Sequence, residues 1–249
     1  MASPTPLNGN LALITGASKG IGKATALLLS SLGARVVINY SSDSTAADAL
    51  VAQIGADKAI AIKADAGNVK ELERLVHETV AWGKKKVIAN AATTALGMGL
   101  EQSTEEEFDR AVGLNVKGPF FLVQKAAPHM RKGGSVVLLS TSLCNLSGIT
   151  PNYLLYVTTK GAIEQMTRVL AKHLGTKSIT VNTVAPGPTG TDLFFEGKSE
   201  QLVNTIASWN PFNRLGTPEE IAGAIAFLCG EGGRWVNGQV LRVNGGMTV

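Results

Sequence analysis

Short apolar runs alternate with longer amphipathic segments along the chain. The short runs are rich in Val, Ile and Ala, which is typical of strands buried on both faces of a parallel sheet. They predict seven strands, at residues 11–15, 35–39, 58–63, 87–90, 135–140, 180–185 and 240–243. The longer segments predict helices at residues 21–31, 44–54, 70–82, 104–130, 153–174, 200–208 and 218–228. This order predicts an α/β fold with a doubly wound, mainly parallel sheet and helices on both faces.

Local boundary signals support these elements. Thr104 and Thr217 each precede acidic residues at the start of a predicted helix, a pattern that favours a capped N-terminus. Gly33 and Gly55 stand where two helices are expected to end, because glycine readily adopts the backbone conformation found there.

Pro119 lies inside the helical segment 104–130, where its ring removes a backbone hydrogen bond. Either the helix kinks around residues 115–119, or the segment forms two helices. We favour the kink.

The domain organisation is simple. The chain shows no internal repeat, no low-complexity stretch and no change of composition that would mark a second domain. We therefore predict one domain over residues 1–249, with residues 7–185 serving mainly cofactor binding and catalysis. Residues 187–199 are the least patterned stretch and are long for a connection. They predict a mobile substrate lid, which we extend to residues 187–212.

Composition limits the function classes. With 249 residues, 45% hydrophobic and 17% charged, the chain can bury a large core. It has no apolar run of about 18 residues and no signal-peptide pattern, so we expect a soluble, cytoplasmic protein without a membrane partner. Two cysteines outside any metal-ligand pattern predict neither a disulfide nor a metal site. The net charge of +4 is a weak signal, and the basic run at residues 84–86 is typical of a solvated loop, so we expect no nucleic-acid partner.

A glycine-rich turn directly follows the first predicted strand. It occupies residues 15–22, and a helix is predicted to begin within it. Glycines permit a tight turn and let the backbone approach a pyrophosphate, whose charge the helix N-terminus favours. This context predicts a nucleotide site contacted by Gly16, Ser18, Lys19, Gly20, Ile21 and Gly22.

The end of the second predicted strand indicates which dinucleotide binds. A carboxylate there would accept from the ribose hydroxyl of NAD and repel the phosphate of NADP. The chain has Asn39, Tyr40 and Ser41 at this place, and no acid before Asp43. Lys19 can add a positive charge near the same phosphate, although it is also plausible as a solvated surface lysine. These features favour NADP(H).

Asp65 follows the third predicted strand. Its carboxylate could accept a hydrogen bond from the adenine amino group of a dinucleotide. A helix-capping role is the alternative.

Tyr156 and Lys160 lie four residues apart in a predicted helix, so they share one face. A free tyrosine has a pKa of about 10, and a neighbouring ammonium would lower it by stabilising the phenolate. Ser142 lies at the end of the fifth predicted strand, at the carboxyl edge where such sheets bind ligands. Because the connection between Ser142 and Tyr156 is loop-like, both side chains can face one pocket.

Taken together, these motifs resemble the short-chain dehydrogenase/reductase family over essentially the whole chain. The glycine motif TGxxxGxG matches residues 15–22, the catalytic serine matches Ser142, and YxxxK matches residues 156–160. The helical asparagine of the family falls on Asn115, and the PG-x-x-x-T element on residues 186–191, with Thr191 at the amide-binding position. The resemblance implies a Rossmann fold, with further cofactor contacts from Ala66, Asn90, Ala91, Pro186, Gly187 and Thr189.

The resemblance also implies a catalytic tetrad. Tyr156 would protonate a carbonyl oxygen as hydride arrives from the nicotinamide, and Ser142 would hydrogen-bond the same oxygen. Lys160 would hold the nicotinamide ribose and lower the pKa of the tyrosine. Asn115 would hold a water that links the lysine to solvent; a polar residue that satisfies a helix kink is the alternative for this position.

Two stretches depart from the family pattern. Asn90, Ala91, Ala92 and Thr93 stand where many members have NNAG, and Lys85 and Lys86 stand where Leu-Asp is frequent. Neither departure falls on a residue of the implied catalytic tetrad.

Several apolar side chains in or beside the predicted lid could form a substrate pocket, namely Leu193, Phe194, Phe195 and Trp209. They could equally pack the lid against the core. The pattern favours an apolar cyclic, aromatic or aliphatic ketone as the small-molecule substrate. It resembles hydroxynaphthalene reductases and also 3-oxoacyl carrier-protein reductases, and Arg131 and Lys172 leave an acyl carrier protein open as a partner.

The remaining expectations concern assembly and a rival function. The helical segments 105–130 and 153–174 carry apolar residues on more than one face, so we expect a homodimer or a homotetramer through them, as in the family. A non-catalytic NADP-binding sensor on the same fold is the alternative of another class, since a fold does not determine a function.

Overall fold

The computed structural model describes residues 7–83 and 99–249. The six strands of this part are β1 (Leu11–Ile14), β2 (Arg35–Tyr40), β3 (Ala59–Lys63), β4 (Ser135–Leu139), β5 (Thr180–Pro186) and β6 (Val240–Val243). The helices are α1 (Gly20–Ser31), α2 (Ser44–Ile54), α3 (Val69–Trp82), α4 (Glu105–Val112), α5 (Gly118–Ala126), α6 (Leu154–Gly175), α7 (Asp192–Phe195), α8 (Glu200–Ala207) and α9 (Pro218–Cys229). The predicted strand at residues 87–90 lies outside the described residues, so the prediction of seven strands stays a prediction.

All the strand pairs of the described part are parallel. β1, β2 and β3 form one three-stranded set in that order, and β4, β5 and β6 form another. Parallel strands direct their carboxyl ends to the same edge within each set. The segments after β1, β4 and β5, which carry the glycine turn, Ser142 and the predicted lid, begin at those ends.

The core lies on both faces of the strands, which alternate their side chains between two clusters. Leu13, Val37 and Leu138 belong to a cluster shared with α3, α5 and α6, whereas their chain neighbours Ile14 and Ile38 belong to one shared with α1, α2 and α9. Strands covered on both sides must be apolar at nearly every position, because successive side chains point to opposite faces. The prediction of helices on both faces is confirmed for the described residues.

The predicted helix boundaries are confirmed at several positions. Thr104 and Thr217 each form a capping box with the glutamate three residues later. Gly33 and Gly55 follow α1 and α2 with φ values of 95° and 109°, a region that favours glycine.

The segment containing Pro119 forms one continuous helical run rather than two separate helices. A π-helical turn, Gly113–Lys117, joins α4 to α5, and Pro119 stands in the first turn of α5. Proline is tolerated here, because the wider turn accommodates its missing hydrogen bond. The helical run is therefore interrupted by a π-helical turn that contains Asn115, and the predicted kink around residues 115–119 stays a prediction.

No helix among the described residues is both long and apolar enough to cross a membrane. In the same ranges, no cluster of His, Cys, Asp and Glu side chains could hold a metal ion.

Candidate active site

One cleft lies at the carboxyl edge of β4 and β5. Its volume is about 210 Å³. The sequence-predicted residues that line it are Ile21, Ser142, Tyr156, Pro186, Gly187, Thr189, Thr191, Leu193, Phe194 and Trp209. The glycine turn, through Ile21, therefore shares a single cleft with the serine and the tyrosine.

Ser142 begins a short 3₁₀ helix after β4 and is fully buried. Its hydroxyl donates to the carbonyl oxygen of Ala185, at 2.9 Å. This bond ties the serine to β5 and fixes the Cα position, while rotation about one side-chain bond can redirect the hydroxyl into the cleft.

Tyr156 and Lys160 both lie on α6, as predicted, and the lysine Nζ lies 5.7 Å from the centroid of the tyrosine ring. Lys160 is almost completely buried, and its ammonium donates to the carbonyl oxygen of Leu139, at 3.0 Å. Burial lowers the pKa of Lys160 to about 8. The environment thus disfavours the charged form of this lysine.

The pKa of Tyr156 moves opposite to the expectation from the sequence. Burial raises it to about 12, and a side-chain hydrogen bond with Thr141 acts in the lowering direction without compensating. The reason is geometric, since the ammonium of Lys160 is directed to Leu139 rather than to the phenol oxygen. In this arrangement Tyr156 keeps its proton across the neutral range, as a proton donor must.

Asn115 connects the π-helical turn to the helix α6. Its amide donates to the hydroxyl of Thr159, at 3.1 Å, and that hydroxyl donates to the carbonyl oxygen of Tyr156, at 2.7 Å. Both Asn115 and Thr159 are buried. Asn115 therefore contacts the helix of the tyrosine through Thr159, while its role toward a water and its alternative role at a helix kink both stay predictions.

The glycine turn has a backbone suited to a pyrophosphate. Gly16 and Gly20 have φ values of 60° and 53°, and a Cβ on Gly20 would lie 3.2 Å from the side chain of Thr191. Lys19 precedes α1 in an extended conformation, and no side chain of the described ranges caps the first turn of this helix. The amide groups at this N-terminus are therefore left to a ligand, and such a donor set fits a dinucleotide phosphate.

The other predicted contacts of the turn differ in exposure. Ser18 is half-buried beside Lys19, and Gly22 is buried within the first turn of α1. The predicted contacts of Ser18 and Gly22 with the cofactor stay predictions.

Asn39 contacts this turn from the end of β2. It is buried, and its amide donates to the carbonyl oxygens of Ile62 and Ala64, at 3.2 and 2.9 Å. Its side-chain oxygen accepts from the backbone of Gly16, at 3.4 Å. Because both ends of the side chain are engaged, Asn39 acts on the cofactor site by holding the turn.

The residues that follow Asn39 in the chain have different surroundings. Tyr40 packs against the cluster beneath α2, and Ser41 is exposed beyond the end of β2. Lys19 forms an ion pair with Asp43, at 2.7 Å, although the sequence places that acid beyond the strand. Any anion that binds Lys19 competes with this carboxylate.

Asp65 does not cap a helix, so that alternative is wrong. Its carboxylate accepts from the backbone of Gly67, at 2.8 Å, and α3 is capped by Asn68. The neighbouring Ala66 is buried beneath the π-helical turn, where a Cβ on Gly118 would clash with its carbonyl oxygen. Position 118 therefore requires glycine for this close approach. The predicted contacts of Asn90 and Ala91 lie outside the described residues.

The predicted lid contains the short helix α7, followed by α8. Thr191 caps α7 by accepting from the backbone of Phe194, at 3.1 Å. Phe195 differs from the other predicted pocket residues, because it is half exposed and packs edge to face on Phe194 instead of lining the cleft. The prediction that it lines the pocket is wrong, since consecutive residues of a helix point about 100° apart.

Sequence reasoning missed nine further residues of the cleft, namely Leu139, Ser140, Thr141, Leu143, Tyr153, Pro188, Lys198, Ile206 and Met247. Tyr153 lies three residues before Tyr156, so helical spacing could have found it. Met247 comes from the far end of the chain, after β6, and no local pattern places it here.

Comparison with known proteins agrees with this geometry. Residues 16–248 match a family model described as Enoyl-(Acyl carrier protein) reductase. The hydroxynaphthalene reductase-like protein Arp2 of Metarhizium robertsii is 39% identical over 259 residues, covering 98% of this chain and 97% of the relative.

Two solved structures have folds similar to that of this chain. A short chain dehydrogenase of Burkholderia cenocepacia in complex with NADP is 33% identical, with a TM-score of 0.91 and coverage of 98% of this chain and 99% of that one. The angucycline C-6 ketoreductase LanV with bound NADP is 35% identical, with a TM-score of 0.86 and coverage of 97% and 96%. The chain therefore belongs to the short-chain dehydrogenase/reductase family of oxidoreductases, and it has the Rossmann-like fold of that family.

Proposed function

We propose that this protein reduces a ketone to a secondary alcohol with NADPH and that Tyr156 donates the proton. The observation that carries the proposal is the single cleft shared by Tyr156, Ser142 and the glycine turn. The reaction is reversible, so the same residues serve alcohol oxidation.

The residues would divide the work as follows. NADPH, when bound, supplies the hydride. Tyr156 holds a proton at its phenol oxygen, since burial raises its pKa to about 12, and gives that proton to the carbonyl oxygen. Ser142 turns its hydroxyl from Ala185 toward the same oxygen and stabilises the negative charge that develops there.

The choice of NADPH over NADH rests on charge. No carboxylate occurs at residues 39–42, and Lys19 stands beside the glycine turn. The ammonium of Lys19 would attract the additional phosphate of NADPH. Two structural neighbours, the Burkholderia cenocepacia dehydrogenase and LanV, were solved with NADP, which supports the same choice here.

A bicyclic or polycyclic ketone fits the cleft as substrate. Its walls include Phe194, Trp209 and Met247. Its volume of about 210 Å³ exceeds the roughly 150 Å³ of a dry cavity that accommodates benzene. The names of the relatives Arp2 and LanV point to ring ketones of this kind.

A 3-oxoacyl carrier-protein reductase is the second candidate, and the description of the matched family model also names a carrier-protein substrate. The placement of the basic residues argues against it. Arg131 precedes β4, and Lys172 lies near the end of α6, just before β5. Both residues are therefore near the amino ends of these strands, opposite to the edge where Ser142 follows β4.

The test is the substitution Tyr156→Phe, assayed as NADPH oxidation with a panel of bicyclic ketones, quinones and an acetoacetyl thioester. Loss of the proton donor should lower kcat by about 10²- to 10⁴-fold while the Kd for NADPH, measured by fluorescence, changes little. Turnover that survives the substitution would exclude this mechanism. Tight NADPH binding by a wild-type protein that reduces no member of the panel would favour the non-catalytic sensor.

A further inference from the structure

Lys198 gives the cleft an unusual charge. Among the described residues that line the cleft, it is the one charged side chain, and it stands among Phe194, Ile206, Trp209 and Met247. No Asp or Glu within residues 7–83 and 99–249 forms an ion pair with its ammonium. Within these ranges, the lid therefore presents a cation without a counter-ion to a cleft whose other lining residues are apolar or carry neutral hydroxyl groups.

The backbone of the lid holds Lys198 in this place. Gly197 has a φ of 69° and turns the chain back at the end of α7. The amide of Lys198 then donates to the carbonyl oxygen of Phe195, at 3.1 Å. The ammonium lies 5.0 Å from the centroid of the Phe194 ring, a cation–π distance that orients it along the cleft wall.

We propose that Lys198 binds an anionic oxygen of the substrate, so that the cleft prefers ring ketones with a carboxylate or an ionised phenol remote from the reacting carbonyl. The proposal rests on the proposed function and names its substrate class. Lys198 is half-buried and pairs with no acidic residue among those described, so an anion placed opposite its ammonium would gain a charge-assisted hydrogen bond. Such a bond is stronger in apolar surroundings than at an open surface.

The kinetic test compares matched ketones of one ring size, namely 1-tetralone, a tetralone carboxylate, and a hydroxytetralone assayed above the pKa of its phenol. The wild type should have a KM for the carboxylate about tenfold or more below that for 1-tetralone, as expected for one hydrogen bond to a charged group. Lys198→Met should abolish this preference, and Lys198→Arg should retain it. A preference for the hydroxytetralone alone would identify the ionised phenol as the anion recognised.

Lys177 offers a matched control. It is exposed and lies between α6 and β5, at the edge of the strands opposite to the cleft. Lys177→Met removes the same charge and should leave the KM values of all three ketones unchanged. Lys198 would instead serve the cofactor if Lys198→Met weakened NADPH binding and left the ratio of the ketone KM values unchanged, and the proposal would then be wrong.

Titration calorimetry separates this inference from the proposed function. The affinity of the NADPH-free protein for the tetralone carboxylate and for 1-tetralone can be measured without turnover. Tighter binding of the carboxylate to the wild type, lost in Lys198→Met, supports the anion site even where no ketone is reduced. Equal affinities of the wild type for both ketones would overturn it, whatever the outcome with Tyr156→Phe.

Discussion

Lys160 is a residue whose burial lowers the stability of the fold. Its side chain is almost completely buried, and its ammonium donates to the carbonyl oxygen of Leu139, at the end of β4. Burial lowers its pKa from the ordinary 10.5 to about 8. The unfolded chain therefore binds more protons than the folded chain between these two values, and burial of the ammonium opposes folding at lower pH.

The substitution Lys160→Met tests this cost. Below about pH 8 the folded protein must hold a buried ammonium, and the penalty disappears as the pH rises through 8 toward 10.5. The difference between the two pKa values corresponds to a penalty of about 3 kcal/mol in the free energy of unfolding at neutral pH. The variant removes this penalty but also loses the hydrogen bond to Leu139, which lowers the expected gain by about 1–2 kcal/mol. We expect the variant to be inactive but more stable than the wild type at pH 7 in urea unfolding, with the gain lost near pH 10.

A lysine on the solvent side of the same helix is the control. Lys172 is exposed on α6, and Lys172→Met should change the free energy of unfolding little at either pH. A Lys160→Met variant that is less stable than the wild type at pH 7 would contradict the prediction.

At the scale of single residues, the sequence predicts which side chains lie close together when they are a few positions apart on one helix. The four-residue spacing of Tyr156 and Lys160 is of this kind. It could not predict the direction of the tyrosine pKa, because burial raises that pKa and depends on the whole cleft, while the ammonium of Lys160 is directed to Leu139. Met247 was missed for a similar reason, since a distant part of the chain brings it to the cleft, and Lys198 was missed within the predicted lid because only apolar residues were expected to form the pocket.

At the scale of elements, the start of α2 combines two roles. Asp43 caps this helix by accepting from the backbone of Ala46, at 3.0 Å, and its carboxylate also pairs with Lys19. The hydrogen bond with Lys19 lowers the pKa of Asp43, so the carboxylate is charged at neutral pH. The helix start therefore holds a negative charge beside the site proposed for the NADPH phosphate.

The substitution Asp43→Asn separates the two roles, because asparagine is also a good cap but has no charge. It should lower the Kd for NADPH about two- to fivefold, the range expected for removing an exposed competing charge, and change the Kd for NADH less. Weaker NADPH binding by Asp43→Asn, measured by fluorescence titration, would contradict this prediction.

Lys19→Ala should raise the Kd for NADPH more than that for NADH.

Most helices of the described part could be predicted because each carries its own start and stop signals. Thr217 with Glu220 determines where α9 begins, and Gly55 where α2 ends. The short helix α7 could not be predicted, since it has a single turn and depends on its cap at Thr191. Such a turn is too short to be stable alone and forms through its contacts with the rest of the chain.

At the scale of the whole molecule, apolar side chains remain exposed on the helices α4, α5 and α6. They include Phe108, Phe120, Leu154 and Val169, the last of which is 69% exposed. Exposed apolar surface of this kind frequently marks a contact between protomers. The homodimer or homotetramer expected from the sequence stays a prediction, as do the single domain over residues 1–249 and the cytoplasmic location.

Light scattering tests the assembly. We expect a mass of two or four times 25.9 kDa, and Val169→Glu should shift it toward the monomer, because burying an unpaired charge in an interface is costly. Leu202→Glu on α8 introduces the same charge at another exposed position and should leave the mass unchanged. A wild-type protein that is monomeric at micromolar concentration would contradict the prediction.

The alternation of strand side chains between two clusters explains why the architecture could be predicted, since a sheet covered on both faces requires continuous apolar strands. The strand at residues 87–90 lies outside the described part, and its apolar pattern is the basis for expecting it.

The π-helical turn at Gly113–Lys117 has a consequence for how the length of the chain can change. A turn of this type holds one residue more than an α-helical turn. Deleting a single residue there would remove this extra residue, so α4 and α5 could run on as one regular helix with little change in their relative rotation. A deletion elsewhere in α4 or α5 would instead rotate the two halves by about 100° relative to each other. Gaps in homologous chains that align with this helix should therefore be one residue long and fall within residues 113–117.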